Sequence, residues 1–413
     1  MKRVCKIRFY PNQTQKVKIN NILGCCRYVS NLYIEYNQER YTKTGEFITG
    51  YEFSRIITKL KKNEPRFMWL NEISTKVIKD SIMNTEKAFK KFFRKTAGYP
   101  KFKSRKRLKN ESFFFIRDNI SFETYEKNII RIPILGKIRI TERKYLPSIS
   151  QVSSGRVIKE NNKYYVMFIY NINSASIKLN SFGIGCDIGI KTYLTMFDGV
   201  NIVSFRHFKE YENYKYIQQK IARLQQLLSK KVEYNYGRLL NQYFDKHHSE
   251  PNEKQKNIMK GESYCTSGVR KLRRKINKLY EKGRNIRKDY IDKLVYKLVA
   301  RIKPSFITIE DLSISNMIEG KGQHNLHRYI SESSFYYFRT HLFSKIEEFG
   351  NSIELRIANK YFASSKKCSN CGNKLKTLRL SDRVYRCPEC GLEIDRDVNA
   401  AINLHDLSKY TIA

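Results

Sequence analysis

The 413-residue sequence has few acidic residues, little proline, one tryptophan and no long apolar run: Asp and Glu number 39, Pro 8 and Trp 1. No apolar stretch approaches the roughly 18 residues that a membrane-spanning helix needs. The first residues, MKRVCKIRFYPNQ, also lack the apolar centre of a secretory signal. These absences predict a cytoplasmic protein with no membrane segment. In that reducing compartment the nine cysteines are not expected to form a disulfide framework.

Positive charge is in large excess. Lys and Arg number 80, which gives a formal net charge of +41 at pH 7 and a pI near 9.8. A compact chain with this surplus repels itself unless a polyanion neutralises it, and nucleic acid is the usual polyanion. A nucleic-acid duplex of roughly 20 base pairs carries about 40 phosphates, the same order as the surplus. A membrane surface is the weaker alternative.

The first half of the chain predicts a strand, then a helical block, then a β-rich block. Residues 1–10 alternate basic and apolar side chains, which is typical of a half-buried strand. Helical periodicity dominates from Gln13 to about Phe93. Residues 112–173 hold the short β-branched and aromatic runs of strands. This order predicts a small barrel or sheet with a helical block inserted after its first strand.

The second half predicts a mixed domain of strands and helices. Residues 181–206 indicate three strands joined by tight turns. Apolar stripes that begin at Ile217 and Leu272 indicate two helices. Between these helices, residues 231–266 are polar, and we expect an irregular insertion or lid there. The remaining predicted elements are a buried strand at 305–312 and a final helix at 399–404.

Four cysteines have the spacing of a metal site. Cys368 and Cys371 form one Cys-x2-Cys pair, and Cys387 and Cys390 form a second pair after 15 intervening residues. Four thiolates so spaced offer the closed tetrahedral ligand set of structural Zn²⁺. The intervening KTLRLSDRVYR is expected to form the strand pair of a zinc ribbon. The alternative is a chance spacing. The other five cysteines are expected to be buried, unreactive thiols.

Three carboxylates occupy positions that need an explanation. Asp187 interrupts the apolar run FGIGCDIGI, Glu310 ends the apolar run FITIE, and Asp397 lies in DRDVNAA at the start of the last helix. Singly, each has an ordinary explanation as a solvated strand end, a salt-bridge partner or a helix cap. Together, on a first strand, a later parallel strand and a following helix, they match the ribonuclease H arrangement. That arrangement gathers acids around two divalent cations roughly 4 Å apart for phosphodiester hydrolysis.

Mg²⁺ is the expected ion, because carboxylate and phosphate oxygens are its usual ligands. We choose Asp397 rather than Asp395 as the third ligand, since the small residues that follow it would let the helix pack closely on the sheet. Asp395 is then the expected helix cap. Asp397 follows Cys390 by seven positions. We therefore expect the zinc ribbon to help position Asp397, so that zinc removal would lower activity as well as stability.

Two basic segments are candidate nucleic-acid contacts. Residues 90–109 hold ten Lys or Arg and no acid, with aromatic residues among them, and residues 270–288 hold ten basic residues and one acid. This pattern favours phosphate contacts combined with base stacking; the alternative is a solvated helix face. The candidate residues are Lys90, Lys91, Arg94, Tyr99, Lys101, Phe102, Lys103, Arg105, Arg270, Arg273, Arg274 and Arg287.

The motifs, taken in order, resemble a known family. GIGCDIGIK, ITIEDLSISNM, YFASSKKCSNCG, CPECG and DRDVNAAINL resemble TnpB, the OrfB-type proteins of bacterial insertion sequences, which are related to compact type V CRISPR effectors. FYPNQTQ, RYVSNLYIEY and GYPKFKSRK resemble the first half of the family. The resemblance therefore covers nearly the whole chain.

The resemblance implies an α+β multidomain fold: a wedge β-barrel with an inserted helical recognition domain, then a RuvC-type, ribonuclease H-like α/β nuclease with an inserted zinc ribbon. It assigns the nuclease acids to Asp187, Glu310 and Asp397, in agreement with the choice made from the residues. The implied domains are the wedge barrel at 1–11 and 112–180, the helical recognition domain at 12–111, the RuvC-like nuclease at 181–360, the zinc ribbon at 361–394 and the C-terminal RuvC-like helix at 395–413.

The resemblance further implies a magnesium-dependent, RNA-guided DNA endonuclease encoded by an insertion sequence. Its expected partners are a non-coding guide RNA and double-stranded target DNA. Its expected cofactors are structural Zn²⁺ and two catalytic Mg²⁺ ions. The protein itself would recognise a short motif beside the target, and the helix around Lys76, Lys79 and Asp80 is the candidate for that contact. The flanking motif and the oligomeric state stay open.

Two other functions stay open. A guide-dependent DNA-binding repressor or transposition accessory protein would need no cleavage, and the presence of all three acids disfavours it. A transposase that acts on DNA alone is disfavoured because no tyrosine- or serine-recombinase constellation is found. The 29 tyrosines prevent its exclusion by composition.

Overall fold

In the computed structural model the chain forms two compact units, Met1–Asn173 and Ser174–Ala413. The described residues are 2–105, 110–117, 120, 128–142, 146–161, 163–173, 177–311, 333–359, 361–379 and 382–412. The end of the basic segment 90–109 and most of the ITIEDLSISNM motif therefore lie outside the described residues. No helix in the described part of the chain is long and apolar enough to span a membrane.

The first unit contains a six-stranded antiparallel sheet. Its strands are β1 (Lys2–Tyr10), β2 (Asn110–Ile116), β3 (Ile129–Ile132), β4 (Gly136–Ile140), β5 (Val152–Glu160) and β6 (Lys163–Asn171). Their spatial order is β2-β5-β6-β1-β4-β3, so the first strand lies inside the sheet, between β6 and β4. The predicted barrel or sheet is thus a sheet, with β2 and β3 as its edges within the described residues.

The helical block follows β1, as predicted. It consists of α1 (Gln13–Thr44), α2 (Gly50–Asn63), a 3₁₀ segment (Pro65–Glu72) and α3 (Thr75–Phe93). Asn12 and Thr49 begin α1 and α2 with capping boxes, in which the side chain accepts the backbone N–H three residues on. Ile19 and Leu23 on α1 pack into the core of the sheet, while Tyr33 on the same helix packs into the core of the helical block.

The second unit contains a mixed six-stranded sheet. The strands of this unit are β7 (Ile184–Asp187), β8 (Thr192–Phe197), β9 (Ile202–Arg206), β10 (Phe306–Glu310), β11 (Glu354–Ala358), β12 (Val384–Arg386), β13 (Glu393–Asp395) and β14 (Tyr410–Ile412). The sheet has the order β14-β11-β10-β7-β8-β9, whereas β12 and β13 pair separately. β7, β10 and β11 are parallel, so their carboxyl ends lie at the same edge. The predicted hairpins β7–β8 and β8–β9 are confirmed.

Within the described residues, the α-helices of the second unit are α4 (Glu212–His247), α5 (Glu253–Ser263), α6 (Ser267–Tyr296), α7 (Phe335–Glu348) and α8 (Arg396–His405), and a π-helical turn at Lys297–Ile302 follows α6. The prediction of an irregular insertion at 231–266 is wrong, because α4 continues to its end at His247 and α5 occupies much of the remainder. The amide of the buried Asn235 on α4 donates to the Ser263 carbonyl at 3.1 Å and to the Thr266 hydroxyl at 3.0 Å. A contact between helices that polar side chains make leaves no hydrophobic periodicity in the sequence from which the helices could be predicted.

Candidate active site and candidate metal centre

Asp187 and Glu310 lie side by side at the edge where the parallel strands end. Cys186 on β7 and Ile309 on β10 belong to the apolar core on one face of the sheet. Side chains alternate along a strand, so the next residues, Asp187 and Glu310, face the opposite side. The parallel register pairs Ile309 with Cys186, which places the two acids at the same level on adjacent strands. The predicted parallel arrangement is therefore confirmed.

Asp397 is presented by the first turn of α8. Asp395 begins this helix, and its Oδ1 accepts the backbone N–H groups of Asp397 at 2.8 Å and Val398 at 3.2 Å. Asp395 is thus the helix cap, as predicted, and its carboxylate is occupied by the helix end. The Asp397 side chain instead forms an ion pair with Arg396, with the Nη2 to Oδ1 distance being 3.3 Å.

A close contact between α8 and β7 fixes the position of this acid. A Cβ added at Gly185 would lie 2.2 Å from the Ala401 carbonyl oxygen and 2.3 Å from the His405 backbone nitrogen. Such distances are far below van der Waals contact, so only glycine permits this approach. Asp397 Oδ2 lies 3.9 Å from the corresponding Cβ position at Gly189, just after Asp187. The small residues of α8 therefore bring the third acid over the carboxyl end of β7.

The three carboxylates line one cavity of about 540 Å³. Its other lining residues include a basic group and an apolar group, which suit different parts of a nucleotide, and two serines, Ser364 and Ser365. The basic group consists of Lys191, Lys366, Arg383 and Arg396, and the apolar group includes Ile188, Ile190, Phe335, Phe362 and Leu378. None of these residues is among the site residues predicted from the sequence. Lys191 and Arg396 could have been found from their motifs, since each lies within four residues of a selected acid.

The electrostatics of this cavity are unfavourable for ionised acids. Burial raises the pKa of Asp187 well above its ordinary value, Glu310 and Asp397 add to the rise by repulsion, and Arg396 opposes it. Burial also raises the pKa of Glu310, where the Ser364 hydroxyl and Arg396 act in the opposite direction. Arg396 opposes the rise at Asp187 and Glu310 only in part, so the further positive charge of a cation would favour the ionised forms of these two acids. A set of carboxylate donors with excess negative charge fits a hard divalent cation such as Mg²⁺.

The four predicted cysteines meet at a second site, and their sulfur atoms all lie within 4.8 Å of one another. The Sγ atoms are 3.6 Å apart in Cys368–Cys390 and 3.4 Å apart in Cys371–Cys387. A tetrahedron with Zn–S bonds of about 2.3 Å has sulfur–sulfur edges of about 3.8 Å, so the thiols fit Zn²⁺. Among the described residues this is the one group of three or more His, Cys, Asp or Glu gathered so closely. The three acids are spread more widely around their cavity.

The strands around the cysteines differ from the prediction. Among the described residues of KTLRLSDRVYR, only Val384–Arg386 forms a strand, and its partner Glu393–Asp395 follows the second cysteine pair. The residues that flank the first cysteine pair hydrogen-bond to each other, since Lys367 forms a β-bridge with Lys374. Gly372, with φ of +78°, and Gly391, with φ of +70°, end the two cysteine turns. Each cysteine pair is thus a small hairpin, which leaves no strand pair between them in the described residues.

The candidate nucleic-acid contacts of the first unit are exposed, with one exception. The exposed residues are Lys76, Lys79, Lys90, Lys91, Arg94, Tyr99, Lys101, Phe102 and Arg105. Lys103 is half-buried: its Nζ donates to the Ser30 hydroxyl at 2.9 Å, and burial lowers the pKa of its amine. The Asn31 side chain holds both the backbone N–H and the carbonyl of Lys103, at 2.7 Å and 3.0 Å. Lys103 thus anchors the basic segment to α1.

The aromatic residues of this segment differ in their surroundings. The ring of Tyr99 meets Phe89 and Phe92 edge-on, with centroid distances of 5.6 Å and 5.3 Å. Tyr99 therefore has a packing role, although 43% of it is exposed. Phe102 is 51% exposed and is the better placed of the predicted aromatics for stacking on a base.

Of the four arginines on α6 that are candidate nucleic-acid contacts, three are exposed and one is half-buried. Arg270, Arg273 and Arg274 are exposed. The guanidinium of Arg273 lies over the Tyr264 ring, 4.8 Å from its centroid. Arg287 is half-buried, and its Nη1 donates to the Tyr214 hydroxyl at 3.4 Å. Arg287 therefore helps to join α6 to α4, while the other three arginines face outward.

Three family models match the chain in succession. A model of the OrfB group of IS605 elements described as "Helix-turn-helix domain" matches residues 1–46. A second model of that group, described as "Probable transposase", matches residues 179–320. A third, "Cas12f1-like, TNB domain", matches residues 335–404, which include all four clustered cysteines and Asp397. Together the models cover more than half of the chain. In this structure residues 1–46 contain a strand and one long helix, β1 and α1.

Two curated relatives match almost the full length. A protein of Streptomyces pristinaespiralis named "Putative RNA-guided DNA endonuclease" is 25% identical over 98% of this chain and 89% of the relative. A protein of Escherichia coli K12 named "Putative RNA-guided DNA endonuclease InsQ" is 26% identical over 98% of this chain and 92% of the relative. A solved structure titled "Cryo-EM structure of the Cas12f1-sgRNA-target DNA complex" covers 100% of this chain and 99% of its own, with a TM-score of 0.49 and 13% identity.

Proposed function

Because the chain belongs to the TnpB family, the OrfB-type proteins of IS605 insertion sequences, we propose that it is an RNA-guided DNA endonuclease. The proposed cleavage site is the cavity of Asp187, Glu310 and Asp397. One observation carries the proposal: three acids from distant parts of the chain meet on one face of a sheet, in a cavity that also holds basic and apolar side chains. The printed names of the two full-length relatives support the same activity.

The finer assignment is to a RuvC-type nuclease with a zinc ribbon. The order of the elements supports it: the antiparallel strands β7, β8 and β9 come first, helices follow, and β10 and β11 run parallel to β7. The positions of the acids on β7, β10 and α8 support it as well. The proposed domains keep the predicted boundaries, with the wedge domain at 1–11 and 112–180 around the helical recognition domain at 12–111. The nuclease then spans 181–360 and 395–413, with the ribbon at 361–394 between.

In the proposed reaction each group of cavity side chains has a separate part. Two Mg²⁺ ions, when bound, would activate water and stabilise the leaving oxygen of the phosphodiester. Asp187, Glu310 and Asp397 would hold these ions, and metal charge would let the buried carboxylates stay ionised. Lys191, Lys366 and Arg383 would contact phosphates of the bound strand. The apolar wall formed by Phe362 and Leu378 would pack against a sugar or a base.

The proposed partners are a non-coding guide RNA and double-stranded target DNA. The net charge of +41 supports polyanion binding. On α3 the Asp80 carboxylate accepts two hydrogen bonds from Arg156, both at 2.6 Å, so it is occupied within the fold. Lys76 and Lys79 are the exposed members of this group. We therefore propose that these lysines, rather than Asp80, contact the motif that flanks the target.

The proposal is tested by expressing the gene with its native flanking DNA and sequencing the RNA that copurifies with the protein. We expect one abundant RNA with a constant scaffold and an end that is copied from adjacent DNA. A plasmid that matches this end should then be cut in Mg²⁺. Asp187→Ala, Glu310→Ala and Asp397→Ala should each abolish the cutting, whereas Asp245→Ala, an exposed acid of α4, should not.

The outcomes separate the candidate functions. Guided binding of the plasmid without cutting, under conditions in which the RNA is loaded, would contradict the nuclease and favour a repressor or accessory protein. Random cellular RNA in place of a defined guide would contradict RNA guiding. Cutting that survives all three acid substitutions would place the active site elsewhere.

A further inference from the structure

A short segment, Ser364–Ser369, runs from the cavity to the first cysteine pair; we call it the strap. Its beginning lines the cavity of the three acids through Ser364, Ser365 and Lys366. Its end contains Cys368, one of the four clustered thiols. Two sites that the sequence treats as separate motifs are therefore joined by six consecutive residues.

Helix α8 holds the strap through two buried asparagines. Asn399 and Asn403 are 0% and 6% exposed and are one helical turn apart, so they lie on the same face of α8. Asn403 Nδ2 donates to the carbonyls of Ser364 at 2.9 Å and Lys367 at 2.7 Å. Asn399 Nδ2 donates to the Lys367 carbonyl at 2.7 Å, and its Oδ1 accepts the Ser369 N–H at 3.0 Å.

These bonds hold the residues on both sides of a cysteine. Lys367 and Ser369 flank Cys368, so α8 forms hydrogen bonds with the backbone immediately before and after this cysteine. The helix that does so also carries Asp397, two positions before Asn399. A shift of the Cys368 backbone would therefore be transmitted to the helix that presents the third acid.

The other end of the strap contacts the second acid. The Ser364 hydroxyl donates a hydrogen bond to Glu310 Oε1. Ser364 is 2% exposed, so its hydroxyl is shielded from solvent. The same residue offers its carbonyl to Asn403. Ser364 thus joins β10 to α8, with Glu310 on one side and the helix of Asp397 on the other.

We propose that the strap is a positioning element, in which Ser364 orients Glu310 while Asn399 and Asn403 make the spacing of Glu310 and Asp397 depend on a filled cysteine site. This inference rests on the proposed function, since it concerns a divalent-cation site at the three acids. A bound metal fixes Cys368 against the other three thiols, and the strap then has two fixed ends. When the metal is lost, one end is free and the cation site loosens. Partners of ligating carboxylates commonly change metal affinity about 10- to 100-fold.

The first experiment measures Mn²⁺ binding to the full chain, with zinc in the cysteine site, by electron paramagnetic resonance of free Mn²⁺. The site of interest is the binding that Asp187→Ala removes. Ser364→Ala should weaken this binding about 10- to 100-fold, and Ser364→Thr, which keeps the hydroxyl, should restore most of it. Ser365→Ala is the matched control, because Ser365 lines the same cavity while the bond to Glu310 comes from Ser364. Zinc content should be unchanged in every variant.

The results distinguish this inference from the function on which it rests. If Ser364→Ala binds Mn²⁺ as tightly as Ser365→Ala does, the role of Ser364 is refuted while the cation site stands. If the unmodified chain has no Mn²⁺ site that depends on Asp187, the proposed cation centre itself is refuted.

The second experiment tests the coupling through α8. Removing zinc should weaken Asp187-dependent Mn²⁺ binding in the unmodified chain by about 10-fold or more. In Asn403→Ser the binding should already be weaker, and zinc removal should add less than it does in the unmodified chain, as expected for coupled sites. Equal effects of zinc removal in both proteins would overturn the coupling. If Asn403→Ser does not fold, Asn399→Ser provides the same comparison through the other grip on Lys367.

Discussion

At the scale of single residues, the candidate active site concentrates repulsion in one buried carboxylate. Asp187 is 8% exposed, and burial together with Glu310 and Asp397 raises its pKa well above that of an exposed aspartate. The folded chain without divalent cations thus binds a proton at Asp187 more tightly than the unfolded chain does. Stability is therefore lost as pH rises from the unfolded pKa, near 4, through the raised folded pKa, and is constant beyond it.

Replacing this acid should raise stability and remove activity. With zinc bound and Mg²⁺ omitted, Asp187→Asn should melt above the unmodified chain at pH 7.5, by about 2–4 °C for each kcal/mol of repulsion relieved. Near pH 4 the advantage should shrink, because the aspartate is then protonated in the folded chain and about half protonated in the unfolded chain. Thermal unfolding at the two pH values measures this, and Asp245→Asn on the exposed face of α4 is the control. A variant that melts lower than the unmodified chain at both pH values would contradict the account.

Single residues also mark what the sequence could and could not reveal. Asp187 and Glu310 were selected because a charge in an apolar run demands an explanation, Asp397 because small residues follow it in the last helix, and the four cysteines because ligand spacing is local. Ser364, Asn399 and Asn403 were missed, since their roles depend on hydrogen bonds between segments that are far apart in the chain. Lys103 was expected on the surface with its basic neighbours, and only the distant Asn31 explains why it turns inward.

At the scale of elements, the contact between β7 and α8 decides where the third acid lies. Gly185 allows the helix backbone to touch the strand, with Ala401 and His405 directly above it. Any side chain here would have to push away the helix that carries Asp397. The geometry of the cavity thus depends on the absence of a single methyl group.

A methyl group at this position should damage both stability and cleavage. We expect Gly185→Ala to lower the free energy of unfolding by roughly 1–3 kcal/mol or more, because the clash is with backbone atoms that cannot rotate away. Gly237→Ala in α4 is the matched control: no atom lies within 4 Å of its added Cβ. It should raise stability by up to about 1 kcal/mol through helix propensity. Urea unfolding of both variants measures the difference, and equal effects would count against the contact.

The cysteine module should hold one metal ion. Cys371→Ser should lower bound zinc from about one ion per chain to near zero and reduce the melting temperature, since metal binding to such a site contributes folding energy. Cys265→Ser is the matched control, because Cys265 is outside the cluster and, contrary to the prediction that it is buried, is also an exposed free thiol. Zinc content and thermal unfolding, measured on the same samples, give the result. Full zinc content in Cys371→Ser would show that the cluster is not the metal site.

Elements also show where hydrophobic pattern fails as a guide. Strands β1 to β10 and the first helices follow apolar periodicity and lie where it predicts them. The region 231–266 does not, because α4 and α5 meet through the amide of Asn235 rather than through an apolar stripe. The capping box of Asn252 and Gln255 at the start of α5 was the available signal.

At the scale of the whole molecule, the surplus of positive charge governs binding. Affinity for nucleic acid should fall steeply with salt, because each phosphate that the protein neutralises releases a counterion. The net charge alone does not say which residues make these contacts. The exposed arginines of α6 and the segment after α3 are the proposed ones, and local substitutions can separate them from the general field of the protein.

A triple substitution on α6 should change the salt dependence. Replacing Arg270, Arg273 and Arg274 with glutamine should reduce the slope of log affinity against log salt by about 2–3, the value for three lost phosphate contacts. The control replaces Arg55, Lys59 and Lys62 with glutamine. These residues are exposed on α2, and their replacement removes the same net charge. Fluorescence anisotropy with the copurified RNA at several salt concentrations measures both slopes. Identical slopes for the two triples would mean that the α6 arginines have no special part.

The order of the strap, the cysteine module and α8 along the chain has a consequence in time. A ribosome releases β7 and β10 long before it releases α8, so a growing chain has two of the acids but neither the third nor the grip on the strap. On the proposed function, cleavage competence would therefore come only after α8 is released. A product that stops within the cysteine module would keep the whole first unit and the arginines of α6. On the proposed function, such a fragment would bind guide RNA or target DNA without cutting, and so compete with the full chain.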